Sequence, residues 1–236
     1  MMELCCRPVL DILIERLSLS KFTDEVIIAT TSNKTDDKIE ELGRKLGIFV
    51  YRGSEDDVLD RVVRAVESVN ADAVIEITGD CPLMDPAVVD YTAGEFIKNY
   101  PMYDYVTNIG YIDDEKREIP VGMDVRVFKF DELKKISGLT NDPEDREHVS
   151  LYFFRGGKNK YRLKNVKTPD KWKREYNPRL TLDTREDYEV ISRIYETLSE
   201  YNPRFGLEDI LKFLDSNRDI AEINSGVIQK TVKDIG

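Results

Sequence analysis

The chain is poor in the residues on which many catalytic and structural frameworks depend. It has one histidine among 236 residues, which excludes multi-histidine metal sites and leaves any histidine-dependent triad only His148. Its three cysteines, Cys5, Cys6 and Cys81, form neither a disulfide framework nor a zinc spacing, so a reducing, cytosolic compartment is expected. Basic residues are scarce as well: 35 Lys+Arg stand against 46 Asp+Glu, for a net charge of −11. Such a balance lacks the basic face of a general nucleic-acid binder and the attraction of a polybasic surface to anionic membranes. No apolar run approaches the roughly 18 residues of a membrane span. The opening Met1-Met2-Glu3-Leu4-Cys5-Cys6-Arg7-Pro8 lacks the pattern of a secretory signal. No Asp-x-Asp triplet occurs, which argues against a metal-dependent sugar transferase of the usual pattern. Repeats, low-complexity tracts and Gly/Ser linkers are missing too, so residues 1–236 read as a single domain.

What remains is a chain with 41% hydrophobic residues, enough for a sizeable core. Its first half alternates short apolar runs with helical periods. Pro8 opens a helix striped by Leu10, Leu13, Ile14 and Leu17. Val26 to Thr30 reads as a buried strand, Ile39, Leu42 and Leu46 as a helix closed at Gly47, and Ile48 to Tyr51 as a second strand. Val58, Leu59, Val62, Val63 and Val66 mark a third helix, and Ala73 to Thr78 a third strand. Asp85-Pro86 caps and opens a fourth helix. This order predicts an α/β fold with a mainly parallel, doubly wound sheet, whose ligands bind beyond the carboxyl ends of the strands. Those ends, Thr30-Thr31-Ser32, Arg52-Gly53-Ser54 and Thr78-Gly79-Asp80, are small and polar, as a cleft requires.

The second half is less regular. Strands are expected at Tyr105–Asn108 and Asp124–Lys129, around a loop from Tyr111 to Pro120, and again at Tyr161–Val166. The stretch of about 105–166 reads as an inserted subregion. C-terminal helices follow over about 184–215, the first with Tyr188, Ile191, Ile194, Tyr195 and Leu198 facing inward.

Several motifs can carry chemistry, and each has a plainer alternative. In Thr78-Gly79-Asp80-Cys81 a strand runs into a carboxylate at the sheet edge, where it can hold Mg²⁺ or simply close a turn on its own backbone. In Leu182-Asp183-Thr184-Arg185-Glu186-Asp187, Thr184 and Asp187 form a variant capping box. Asp183 is left free as a second ligand, or as a charge near a positive helix end. In Arg52-Gly53-Ser54-Glu55-Asp56-Asp57-Val58-Leu59-Asp60-Arg61, a Gly-Ser turn entering a helix exposes N–H groups suited to phosphate or base, with Arg52 and Arg61 in reach. The alternative is a Ser54–Asp57 cap and an Asp57–Arg61 surface pair. Asp124, Arg146 and His148 are weaker signals.

Taken together, these residues resemble a known family. The run from Arg52 to Arg61, Ile77-Thr78-Gly79-Asp80-Cys81-Pro82-Leu83, Gly122-Met123-Asp124-Val125, Arg146-Glu147-His148, Asp183-Thr184 and Glu222-Ile223-Asn224 are similar, in order, to the SpsF-type spore-coat polysaccharide biosynthesis proteins. These belong with the cytidylyltransferases, or CMP-sugar synthetases. The resemblance implies a Rossmann-like nucleotide-diphospho-sugar transferase fold and transfer of CMP from CTP to an acidic sugar, in surface or spore polysaccharide synthesis. It implies Mg²⁺ held by Asp80 and Asp183. The nucleotide would be lined by Arg52, Gly53, Ser54, Arg61, Thr78 and Gly79, with Asp124, Arg146 and His148 toward the sugar. It allows a homodimer. The alternatives are a glycosyltransferase using a nucleotide-sugar and a non-catalytic binding or assembly protein.

One departure matters. Family members begin with a central strand and a Gly-Ser-x-Arg loop whose Arg and Lys hold the triphosphate, and this sequence matches the pattern only from the residues that follow. Without that strand its neighbours are expected to face each other with unpaired backbone, and the 236-residue chain is expected to release pyrophosphate poorly.

Overall fold

The computed structural model describes residues 2–110, 117–156 and 160–228; part of the loop expected at Tyr111–Pro120, residues 111–116, lies outside them. A two-residue hairpin, β1 (Glu3–Leu4) against β2 (Arg7–Pro8), leads into α1 (Val9–Leu17), for which Pro8 is the N-cap. The helix buries Val9, Ile12, Leu13 and Ile14, close to the expected stripe.

A compact β-α-β-α unit follows. β3 (Ile27–Thr31) and β4 (Phe49–Gly53) are parallel and in register, with Thr31 opposite Gly53 at their carboxyl ends. Between them α2 (Asp37–Leu46) ends at Gly47, whose φ of 71° lies in the left-handed region that glycine enters without strain. α3 (Val58–Glu67) is capped by Asp57, whose carboxylate accepts the Asp60 N–H at 2.9 Å. The expected Ser54 cap exists one turn early, with the Asp57 N–H donating to Ser54 Oγ at 3.1 Å.

The larger sheet has the order β5-β7-β6-β8, from β5 (Ala73–Glu76), β6 (Tyr105–Thr107), β7 (Arg126–Lys129) and β8 (Leu163–Asn165). The mainly parallel sheet expected from the sequence is present with one exception: β7 runs antiparallel to both of its neighbours, β5 and β6, while β6 and β8 are parallel. The stretch read as an insertion supplies β6, β7 and β8 of this sheet.

Helices cover both faces. α4 (Pro86–Lys98), with Asp85 as its N-cap, packs with α1, α7 (Arg185–Tyr201), α8 (Leu207–Ser216) and α9 (Arg218–Glu222) in one hydrophobic cluster. α3 packs with α5 (Phe130–Ser137) in a second, around Tyr105, Phe128 and Phe153. Of the α7 residues expected inward, Ile191, Ile194 and Tyr195 are buried. Tyr188 instead lies at the surface, 36% exposed, its hydroxyl donating to the Glu3 carbonyl at 3.0 Å.

β3 and β5 do not pair with each other. Between their open edges lies a cavity of about 520 Å³, walled by Val26 and Ile27 on one side, Ala73 to Ile75 on the other, and Val66, Ala93 and Phe96 from α3 and α4. Among the described residues no helix is long and apolar enough to cross a membrane.

Candidate functional site

The strand ends converge on one edge. β5 ends at Glu76, which pairs with Arg126 at the start of antiparallel β7, and Thr107 at the end of β6 pairs with the same Arg126. Thr78-Gly79-Asp80 therefore leaves the sheet where Asp124 enters it. A third segment closes on this edge without being a regular strand. The N–H of Val121 donates to the Pro178 carbonyl (3.1 Å), that of Leu180 to Val121 (2.8 Å), and that of Leu182 to Asp80 (2.9 Å). Gly122 is required for this approach. Its φ is +92°, and a Cβ there would stand 2.6 Å from the Leu180 backbone.

The Leu182–Asp80 bond brings Asp80 and Asp183 onto neighbouring segments, despite their distance in sequence. Asp80 accepts a short hydrogen bond from the Thr78 hydroxyl and a contact from Cys81 Sγ at 3.4 Å. The loop behind it is fixed from below. Buried Arg16 donates to the carbonyls of Leu83 (3.2 Å), Met84 (2.8 Å) and Phe205 (3.0 Å). Burial, then the charge of Asp80, pushes the Cys81 thiol well up, so it stays neutral. The charge of Asp124 adds to the same upward shift. Asp124 is chelated by Arg117, at 2.6 and 2.7 Å, with Arg126 at 3.7 Å.

Asp183 stands at the mouth, its side chain 49% exposed, paired with Nη2 of Arg179. The capping box expected of Thr184 and Asp187 is present, and it leaves the Asp183 carboxylate outside the cap. Among the described residues no group of three or more His, Cys, Asp or Glu gathers as a metal cluster. Two carboxylates without soft ligands nonetheless suit a hard cation that takes its remaining oxygens from water and phosphate.

The second group of predicted residues sits at the ends of β3 and β4. Gly53 lets Arg61 lie across the strand end, since a Cβ there would meet Arg61 Cγ at 3.0 Å. Arg61 Nη1 donates to the Ser54 carbonyl at 2.6 Å, while its Nε is buried with no hydrogen-bond partner. Desolvation lowers the Arg61 pKa, and Asp36, Asp57 and Glu55 oppose that shift. Arg52 points elsewhere. Its nitrogens are committed to the carbonyls of Thr31 (3.0 Å) and Asn33 (2.7 Å) and to Asp37 and Glu40, so it pins the turn between β3 and α2. Gly79 has open space where a side chain would stand, so packing does not demand glycine there.

Arg146 and His148, grouped with Asp124 on sequence, belong to another element. Both belong to α6 (Pro143–Glu147) and its C-cap, and α6 packs against α3. Arg146 bonds the Asp57 carboxylate and the Ser137 carbonyl (2.8 Å), tying α6 to the N-terminus of α3. His148 caps α6, with Nε2 buried and without a hydrogen-bond partner.

Sequence reasoning missed Arg117, Arg126, Arg179 and Asp36. The carboxylate of Asp36 accepts from the hydroxyls of Thr30 and Thr31, both at 2.7 Å, and the Thr31 hydroxyl first, then that of Thr30, holds its pKa low. Arg179 carried a signal, being four residues before Asp183 and eight before Asp187. Arg126 carried one too, since it stands two positions after Asp124 and strand residues at that spacing share a face. Arg117 showed none, because only the loop brings it to Asp124.

A family model described as cytidylyltransferase matches residues 1–210. The spore coat polysaccharide biosynthesis protein SpsF of Bacillus subtilis is 34% identical over 217 residues, covering 90% of this chain and 85% of that protein. A 3-deoxy-manno-octulosonate cytidylyltransferase of Chlorobaculum parvum is 31% identical over 102 residues, covering 42% of this chain and 40% of that one. The solved structure of a cytidylyltransferase from Leptospira borgpetersenii superposes with a TM-score of 0.84 at 29% identity, covering 97% of this chain and 91% of that chain. With the fold and a family match across residues 1–210 in agreement, the chain belongs to the cytidylyltransferases, a family of nucleotidyltransferases.

Proposed function

We propose that the chain transfers CMP from CTP to an acidic sugar, in a Mg²⁺-dependent reaction of surface or spore polysaccharide synthesis. The observation that supports this reading is the Leu182–Asp80 hydrogen bond, which joins the backbone segments that carry Asp80 and Asp183. The acidic-sugar class is supported by the likeness to the 3-deoxy-manno-octulosonate cytidylyltransferase, and the polysaccharide setting by the likeness to SpsF. An oxygen of the sugar bonds to the α-phosphorus, the bond to the β-phosphate oxygen breaks, and pyrophosphate leaves with that electron pair. A bound Mg²⁺ neutralises charge on the phosphates and lowers the pKa of the attacking hydroxyl.

The chain's own residues do the rest. Asp80 and Asp183 hold the cation, and Thr78 fixes the Asp80 carboxylate from its far side. Arg61, anchored on Ser54 with Nε unspent, meets the nucleotide across the ends of β3 and β4. Asp124 with Arg117 and Arg126 forms the polar floor on the sugar side. An acidic chain can bind a polyanion in this way because the cation supplies the local positive charge.

The test is pyrophosphate release with CTP and Mg²⁺, across a panel of acidic sugars and neutral sugar phosphates. Whatever release occurs, however slow, is expected to depend on CTP, Mg²⁺ and an acidic sugar. Consumption of a nucleotide-sugar with no CTP-dependent pyrophosphate would move the chain to the glycosyltransferase alternative.

A further inference from the structure

Asn224 follows α9, has no part in the binding groups above, and is 3% exposed. Its amide joins two things. Nδ2 donates to the main-chain oxygen of Arg179 (3.0 Å) and to Oδ1 of Asp187 (2.8 Å). Asp187 is fully buried. Its Oδ1 also accepts from Arg179 Nε (3.0 Å), and its Oδ2 from the main-chain N–H groups of Asp183 (3.2 Å) and Thr184 (3.0 Å). Arg179 then reaches Asp183 through Nη2. A buried chain of contacts thus runs from the end of the last helix to the outermost carboxylate of the site.

A residue serving only the α7 cap would need no bond to the Arg179 carbonyl. Asn224 spans both the segment 178–182 and the cap, so it fixes the spacing between them, and Asp183 sits at their junction. We infer that Asn224 is a positioning residue for Asp183, holding the segment from which that carboxylate meets the cation; the inference rests on the proposed role of Asp183. A neutral amide is the right chemistry, because both of its N–H groups can donate and a carboxylate there would repel buried Asp187. Burial alone would raise the pKa of Asp187, but the bonds from Asn224 and Arg179 hold it below its ordinary value, so it stays ionised within the network.

The test is equilibrium dialysis of CTP against the full chain at increasing Mn²⁺, with thermal unfolding of each variant alongside. Asn224→Ala is expected to raise the Mn²⁺ needed for half-saturation about 10- to 100-fold, the usual effect of removing a group that orients a metal ligand. Arg218→Ala, which only strips the stacking of Arg218 on Tyr176 from the same helix, should lower Tm and leave the Mn²⁺ dependence alone. Asp183→Asn should abolish that dependence. An unchanged Mn²⁺ requirement in Asn224→Ala, with the requirement lost in Asp183→Asn, overturns the positioning role alone. A wild-type requirement in Asp183→Asn overturns the metal reading itself, and this inference with it. If the alanine variant does not fold, Asn224→Ser keeps one donor at the same place and is expected to show a smaller shift in the same direction. If neither folds, deuterium exchange on the wild-type chain decides. Mn²⁺ with CTP should slow exchange over residues 218–225 together with 179–187, and slowing of 179–187 alone overturns the proposal.

Discussion

The β3–β4 sheet and the β5-β7-β6-β8 sheet differ in how they are built and in what they contribute. The β3–β4 sheet closes within 27–53 of the sequence, as a parallel pair with one helix between. Its strand edges are open, on the cavity side at β3 and on the outer side at β4, where Phe49 is 40% exposed. The β5-β7-β6-β8 sheet draws its strands from 73–165 and mixes directions, and its central strands are buried. The small sheet presents an arginine on a turn; the large one presents carboxylates at an edge. What joins them is mostly α3, which touches β3 and β4 on one side and α5 and α6 on the other. The comparison teaches that the site is assembled across a junction held by helix packing rather than by strand pairing.

If that division is real, removing a carboxylate and removing the arginine should damage different steps. Asp80→Asn and Asp183→Asn are each expected to lower kcat for pyrophosphate release by about 100- to 1,000-fold, as loss of a preorganised charge-stabilising group does, with little change in Tm. Equal loss of kcat in both halves would dissolve the comparison.

The junction itself should be the most fragile place in the core. Leu59, on α3, is fully buried in the cluster that reaches the large sheet. Leu59→Ala should cost about 2–5 kcal/mol in chemical denaturation, with a single transition for both halves. Phe49→Ala, at the open edge of β4, should cost under about 1 kcal/mol. Two separate transitions in the Leu59 variant would mean that the sheets hold together by something other than α3.

Arg61→Ala should raise the KM for CTP about 10-fold or more, the worth of one charge-assisted hydrogen bond, while kcat and Tm stay close to wild type. A large fall in Tm with unchanged KM would leave Arg61 as a strut for the Gly53–Ser54 turn and nothing more.

The smallest effect separates the halves by their acid response. Asp104 in the large half lies below its ordinary pKa: burial opposes ionisation, but Arg162 and Lys129 more than offset it. Asp36 in the small half is lowered by threonine hydroxyls. Both carboxylates therefore stabilise the fold above the ordinary carboxylate range, and the contribution fades as pH falls through it toward the lower folded values. Unfolding of Asp104→Asn and Asp36→Asn between about pH 3 and pH 7 should show a flatter acid limb in each. Added salt should weaken the Asp104 contribution, which comes from ion pairs, and spare that of Asp36. The same salt response in both variants would contradict the assigned causes.

Local signals were legible in the sequence because local physics produced them. Gly47 ends α2, Pro86 opens α4 and Thr184 with Asp187 caps α7, each decided within one turn of chain. The strand-end position of Asp80 and the freedom of Asp183 from its cap were readable for the same reason, and so was the family resemblance carried by these motifs. The sequence by itself thus determined the elements, the α/β class and the residue types at the strand ends. Only the tertiary structure decided the direction of β7, the passage of 105–166 through the main sheet, the commitment of Arg52 to the β3–α2 turn and the tie of Arg146 to Asp57. It alone set Leu182 against Asp80 and Asn224 beneath Asp183. Those outcomes depend on contacts between residues tens to more than a hundred positions apart, whose partners are chosen by packing and hydrogen-bond satisfaction over the whole fold.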